Sequence, residues 1–405
     1  MSLDKIEPQL TKYLAGLESK GILKGEENVI ANIKPAEQGV CERYYLDGYP
    51  DRAFLRMNSN SYLGLALHPQ VIEAEAKAAE QFGTGPGAVR FISGTCQTHI
   101  ELEKKLATFH GREAAMIMSA AYATVMGVLP QFITEDTLVV SDALNHNCII
   151  NAIRLSRPKS KAMYPHLDMA ELDRQLRKSK GKVKRVCVVT DGIFSMRGDH
   201  APLDAIVEIC EQHEPDYEEG IFTIVDDSHG VGAFGDTGRG TEEYTSTQAD
   251  ILIATLGKAL GVNGGYVVAT GNVINYLKET SAFYIYSNPV TPAEAAAAIK
   301  SLTILDSVEG RELLKKSRNL LERLKTGLES LGFETIPGDH PILPVLIRNT
   351  EKTSALVRHL FDNNILVTGL NYPVVPKGED EIRLQISASH TEKDIDYLLE
   401  VLELF

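Results

Sequence analysis

Two strings hold most of the residues with chemistry to offer. IFTIVDDSHGVGAFGDTGRG (221–240) carries an apolar run into Asp226, Asp227 and His229. ILIATLGKALGVNGG (251–265) places Thr255 and Lys258 between a second apolar run and a glycine-rich turn. A carboxylate ending a buried strand is costly unless it meets a positive partner. Taken alone, such an aspartate is most often a cap or a structural acceptor. A lysine between a strand end and a glycine turn changes the balance, because a desolvated amine sheds its proton and becomes a nucleophile. Asp226, His229 and Lys258 are together the parts of a pyridoxal-phosphate (PLP) site: a Schiff-base lysine and a carboxylate for the pyridine nitrogen. Gly230, Gly232 and Gly235 also spell G-x-G-x-x-G after a strand, as in a dinucleotide loop. Two carboxylates would then crowd the pyrophosphate, and DTGRGTEEY opens no apolar-periodic helix aimed at it, which argues against a nucleotide.

The surrounding chain alternates short apolar runs with helical periodicity. Strands are predicted at 115–118, 138–141, 186–190, 221–225 and 251–254, with helices such as 170–178 and 203–212 between them. Such alternation predicts an α/β fold whose mostly parallel sheet is covered on both faces. An N-terminal helix is expected over 1 to about 25, with Leu10, Tyr13, Leu14, Leu17 and Ile22 on one face and Lys20-Gly21 interrupting it. After Pro292 long helices follow, then short strands near 342–347 and 382–386. The organisation expected is an N-terminal helix and linker (1–54), a large α/β domain (55–290) and a smaller α+β C-terminal domain (291–405).

Composition narrows the function class. The 405 residues are 43% hydrophobic and 24% charged, as in ordinary soluble domains. Lys plus Arg number 41 against 55 Asp plus Glu, a net charge of −14, which disfavours nucleic-acid binding while allowing a local anion site. Five scattered cysteines without a C-x-x-C pair suggest reduced thiols in a cytoplasmic chain, with no disulfide frame and no metal site. The start MSLDKIEPQL lacks a signal peptide's basic and apolar segments. Residues 114–132 carry no charge and are long enough to span a bilayer. Ser119, Tyr122, Thr124, Gly127, Pro130 and Gln131 within them favour a buried strand–turn–helix, so no membrane span is expected.

VDDSHGVGAFGDTGRG followed by TLGKALGVNGG resembles the α-oxoamine synthases, PLP enzymes that condense an amino acid with an acyl-CoA. NSNSYLGLALHP (58–69), VRFISGT (89–95), SDALNHNCII (141–150), TDGIFSMRGD (190–199), YSN (286–288) and YPVVPKGEDEIRLQISASHT (372–391) resemble that family in the same order. The likeness runs from about residue 5 to the C-terminus, and DALNH, TDGIFSM and YPVVPKG are most similar to the branch that acetylates glycine. The resemblance implies the PLP-dependent transferase fold, of aspartate aminotransferase type, and a homodimer with sites at the interface.

It also implies roles residue by residue. Lys258 would carry PLP as an aldimine and move the Cα proton. Asp226 would keep the pyridine nitrogen protonated, His229 and Ser195 would contact the ring hydroxyl, and His146 would stack on the ring and assist catalysis. Phosphate would meet the backbone N–H groups of Ala121 and Tyr122 and the Thr255 hydroxyl, with Ser287 and Asn288 reaching in from a second subunit. Arg383, helped by Asn60, would grip the substrate carboxylate; a lone tail arginine is usually a solvated charge, but EIRLQIS sets this one on an apolar strand, facing inward. The activity implied is glycine plus acetyl-CoA to 2-amino-3-oxobutyrate plus CoA. A decarboxylating synthase joining alanine or serine to a longer acyl-CoA is the alternative. Ser61, Val125, Val262 and Asn263 depart from the family's usual residues, and bear on the choice of amino acid and acyl chain.

Overall fold

In the computed structural model, which describes residues 2–19, 23, 26–372 and 374–405, the chain builds three sheets. β1 (Ile30–Lys34), β2 (Arg43–Leu46) and β3 (Tyr49–Arg56) make an antiparallel ribbon. The central sheet takes β4 (Ala114–Met118), β5 (Thr137–Asp142), β6 (Ser160–Tyr164), β7 (Arg185–Asp191), β8 (Ile221–Asp226), β9 (Ile251–Thr255) and β10 (Gly265–Ala269). The third holds β11 (Glu334–Thr335), β12 (Ile342–Leu346), β14 (Thr368–Leu370) and β15 (Glu381–Gln385), while β13 (Ile365–Leu366) pairs in parallel with β3.

The central order is β4-β10-β9-β8-β7-β5-β6, parallel except for β10, which runs against both its neighbours. The five strands expected from apolar runs all lie in this sheet. Two more joined it, β6 without a clear signal and β10 with an apolar run, YVVA, that the glycine turn before it obscured. β6 is an edge strand whose sequence, SKAMY, is mostly exposed, and β10 emerges directly from the glycine turn after Lys258. The uncharged segment 114–132 is β4 followed by a helix at Ala121–Phe132, and no helix among the described residues is long and apolar enough to cross a membrane.

Alternation along the strands sends side chains to two cores. From β9, Leu252 and Ala254 join Leu102, Leu302 and Leu305, whereas Ile251 and Ile253 join Ile149, Ile274 and Leu277. Continuous apolar strands are what a sheet buried on both faces requires. Helix Pro292–Leu305, opened by the reciprocal Thr291–Glu294 cap, covers one face, and helix Val308–Ser330 continues toward the third sheet. There Ile382, Leu384 and Ile386 pack with Leu320, Leu324, Leu343 and Leu398. By the two-residue period, Glu381, Arg383 and Gln385 face the opposite way. The N-terminal helix, Glu7–Glu18, buries no side chain. The expected Ile22 and Lys20-Gly21 lie outside the described residues.

Candidate active site

Parallel strands bring their carboxyl ends to one edge, where α/β folds gather chemistry. Here β5 ends in Asp142, β7 in Asp191, β8 in Asp226 and β9 in Thr255. Asp191 and Asp226 are register partners on adjacent strands, so their buried carboxyls stand side by side. A cavity of about 280 Å3 opens above them, lined by Ala121, Tyr122, His146, Ser195, Asp226, His229, Thr255 and Lys258 together with Cys148, Asp191, Ile193 and Ser228. The sequence nominated the first eight of these. A larger hollow of about 570 Å3 beside Phe234, Tyr244 and Arg318 contains none of them.

Each wall has a local cause. Helix Ala121–Phe132 begins without a side-chain cap, so its first backbone N–H groups remain free at the cavity end for an anion. This turn lies directly on β10: a Cβ on Gly265 would sit 2.4 Å from both the N and Cα of Ala121. Gly265→Ala should therefore displace the turn, weaken binding of phosphate-bearing PLP by about ten-fold or more and lower stability by about 2 kcal/mol; calorimetric Kd and denaturant midpoint would check it. Thr255 Oγ1 accepts from Gly257 N (3.0 Å) and donates to the Gly264 carbonyl (3.1 Å). Its proton is thus already engaged, and donation to a phosphate would require the hydroxyl to turn.

At the other end, Asp226 Oδ1 accepts from the Ser228 amide (3.2 Å) and hydroxyl (2.6 Å). The Cys148 thiol reaches Asp226 Oδ2 at 3.5 Å. Burial, reinforced by the neighbouring Asp226 charge, holds Asp191 well above the usual carboxylate range. Its Oδ2 accepts the His146 amide at 2.8 Å, which fixes the start of helix Asn147–Leu155. His146 Nδ1 accepts from the Cys148 amide (3.3 Å) and lies 2.9 Å from its sulfur, leaving the rest of an exposed ring to the cavity. His229 is buried, its ring meeting Tyr62 Oη through Nδ1 at 2.8 Å and its carbonyl accepting from His340 at 2.9 Å. Burial and the Lys258 charge push it well below the usual histidine range, so its ring is neutral. Burial also brings Lys258 down to about 8, with Asp226 and Asp191 opposing the shift.

Arg383 stands beside this cavity. It donates to the Ser195 carbonyl (2.6 Å) and to Asn60 Oδ1 (3.1 Å), an oxygen that also receives Gln385 (2.5 Å) and Tyr62 Oη (3.2 Å). Asn60 thereby links the arginine to His229 through Tyr62. All the acceptors of the guanidinium, the Met196 sulfur at 4.0 Å included, are neutral, and no carboxylate among the described residues forms an ion pair with it. Ser287 and Asn288 do not line the cavity of their own chain; they lie at the surface beside Tyr286, which is 79% exposed. Cys148, Asp191 and Ser228 were not singled out from sequence. Asp191 had a usable signal, since it ends an apolar run as Asp226 does. Cys148 and Ser228 had none apart from the motifs that contain them.

The glycines of 230–235 serve packing. A Cβ on Gly230 would lie 2.1 Å from Asp227 Oδ1, an oxygen that accepts the Thr241 hydroxyl at 2.8 Å. The helix that follows, Thr241–Tyr244, spans a single turn. Asp227 is structural, and no pyrophosphate loop is built there.

The chain is similar to known proteins over nearly its whole length. The profile of the family described as aminotransferase class I and II matches residues 52–402. The chain is 38% identical over 382 residues to 8-amino-7-oxononanoate synthase of Fervidobacterium nodosum, covering 93% of this chain and 94% of that protein. It is 36% identical over 402 residues to mitochondrial 2-amino-3-ketobutyrate coenzyme A ligase of Bos taurus, covering 98% and 92%. Serine palmitoyltransferase from S. paucimobilis, solved with a PLP–myriocin aldimine bound, superposes with a TM-score of 0.88 at 25% identity, covering 99% of this chain and 97% of that one.

Proposed function

Because the chain belongs to the α-oxoamine synthases within the class I and II aminotransferase family, we propose that it is a PLP-dependent acyl-CoA:amino acid C-acyltransferase joining glycine and acetyl-CoA. The observation that carries the proposal is the cavity itself. One lysine, paired strand-end carboxyls and an uncapped helix start meet within it, and an arginine with no ion-pair partner among the described residues stands beside it on Ser195. These features suit PLP, which needs an anion site at one end and a carboxylate for its ring nitrogen at the other. When bound, PLP supplies an electron-accepting ring that acidifies the Cα–H of an attached amino acid.

The chain's own residues do the rest. Lys258 Nζ would hold the cofactor, and as a free amine it would take one proton from the amino-acid Cα; the acetyl group fills the vacated position and the proton leaves with the thiol of CoA. Asp226 keeps a proton on the ring nitrogen, Cys148 and Ser228 fix that carboxylate, and Asp191 secures the backbone that presents His146. With Nδ1 engaged by Cys148, His146 carries its proton on Nε2 and can donate to the oxygen that becomes negative as the thioester is attacked. His229 and Ser195 orient the ring hydroxyl. The Ala121 and Tyr122 amides would receive the phosphate, and the Thr255 hydroxyl would join them once turned from the Gly264 carbonyl. Arg383 and Asn60 bind the amino-acid carboxylate.

We place Ser287 and Asn288 in the site of a second copy, forming a homodimer. Phe91 (68% exposed), Ile92 and Tyr286 leave apolar surface around them that a partner would cover. Five unpaired cysteines suit a cytoplasmic enzyme. The second reading, a decarboxylating synthase taking alanine or serine with a longer acyl-CoA, is favoured by the likeness to 8-amino-7-oxononanoate synthases. Assay of the PLP-loaded protein with each amino acid and acyl-CoA, following free CoA and CO2, decides between them. CoA release from glycine and acetyl-CoA without CO2 supports the first, and CO2 in step with CoA from alanine or serine supports the second. A fully active monomer in sedimentation would remove the shared site.

A further inference from the structure

β15 turns three polar side chains away from the third core, and two of them, Arg383 and Gln385, are committed to Asn60. The remaining one is Glu381. It is only 2% exposed, no hydrogen bond satisfies its Oε1, and it faces a small cavity of about 70 Å3 shared with Ser195, Met196, Phe194 and Val375. Ser195 also supplies the carbonyl on which Arg383 rests, so this cavity adjoins the arginine's anchor. Residues two apart on a strand share a face about 6.6 Å apart, within reach for a glutamate and an arginine. Among the described residues, a buried carboxyl whose Oε1 has no donor and a guanidinium without a carboxylate therefore stand next to one another.

Resting on the reading that Arg383 binds the amino-acid carboxylate, we propose that Glu381 is an internal rival for that arginine: neutral, it leaves the guanidinium open to substrate, and ionised, it pairs with the guanidinium and excludes the substrate carboxylate. Burial supplies the bias toward the neutral form, holding Glu381 at about 8. Arg383 and Arg197 favour its anion, and Glu379 opposes it. Arg197 is partly occupied already, by Asp199 at 2.8 Å and Glu379 at 3.5 Å, and Tyr62 beside Arg383 is held protonated by burial. Arg383 is thus the less encumbered cation when Glu381 ionises. The device makes amino-acid capture a function of one buried proton, distinct from Lys258 and from the amine of the substrate.

The test is calorimetric Kd for glycine, alanine and serine on the PLP-loaded enzyme at about pH 7 and about pH 9, in wild type and Glu381→Gln. Ionisation of a group at about 8 predicts that the wild type weakens about ten-fold more than the variant between those pH values. Equal weakening in both overturns the proposal. Failure of all three amino acids to bind at either pH also overturns it, by removing Arg383 as their site, and differs plainly from the first failure. A second measurement needs no variant: by reciprocity, saturating glycine must raise the pH at which the Glu381 carboxyl ionises in the wild type. An infrared carboxyl signal indifferent to glycine overturns the proposal as well.

Discussion

Replacing Lys258 by alanine should lower turnover by more than about 10^4-fold, because cofactor anchorage and proton transfer at Cα are lost together. The visible absorbance that PLP gains on joining a lysine should vanish with it. Turnover that survives would mean that the base lies elsewhere in the cavity. In the wild type, attachment of PLP to the apoprotein should quicken with pH through about 8, where the amine loses its proton, and not through the usual lysine range. The same shift bears on stability. Between about 8 and about 10.4 the unfolded chain binds more protons at this residue than the native one, so the lysine's contribution to stability rises with pH across that window. Below it the enclosed ammonium is a liability. The alanine apoprotein should be the more stable at neutral pH by on the order of 2 kcal/mol, less than the whole shift implies because the cavity admits water. A higher denaturant midpoint at unchanged slope would report it.

Arg383→Ala should raise KM for the amino acid by about 10^2- to 10^3-fold while leaving PLP bound. The guanidinium touches neither the helix start at Ala121 nor Asp226, and its partners are Asn60 and the Ser195 carbonyl. Arg383→Lys should recover only part of the loss, since one ammonium cannot reproduce a two-pronged grip. Loss of PLP from the alanine variant would instead assign the arginine to the phosphate.

Much of this arrangement was legible because it follows from periods along the chain. Asp226 and Thr255 are the last residues of apolar runs, and such runs end at one edge of a parallel sheet whatever the order of the strands. The period of two in EIRLQIS places Arg383 opposite the core, and by the same count places Glu381 with it. What stayed hidden depends on neighbours that no local pattern reveals. Asp191 meets Asp226 only because β7 and β8 are adjacent, and Cys148 reaches the same carboxylate from a helix that His146 begins. β6 was missed because an edge strand needs little apolar surface. β10 was legible in the run YVVA and was overlooked because it follows so directly on the glycine turn, whose Gly265 the closeness of Ala121 requires. The Thr255 hydroxyl shows the same limit, as its engagement with Gly264 is invisible before the turn is folded.

The antiparallel strand β10 also dictates an order of events during synthesis. β4 has β10 as its neighbour in the sheet, with Met118 opposite Gly265, so the first central strand to leave the ribosome waits for the last. Until Gly265 emerges, the Ala121 turn lacks the strand it lies on and is tied to the helix that carries Asn147 and Asn151, and Lys258 will have appeared only a few residues earlier. The two ends of the cavity are therefore finished almost together and late, after β5 to β9 have had the chance to associate. PLP cannot template the early stages of folding in such a chain. It can only capture a sheet that has already closed, and the nascent protein must keep β4 from other partners through that interval.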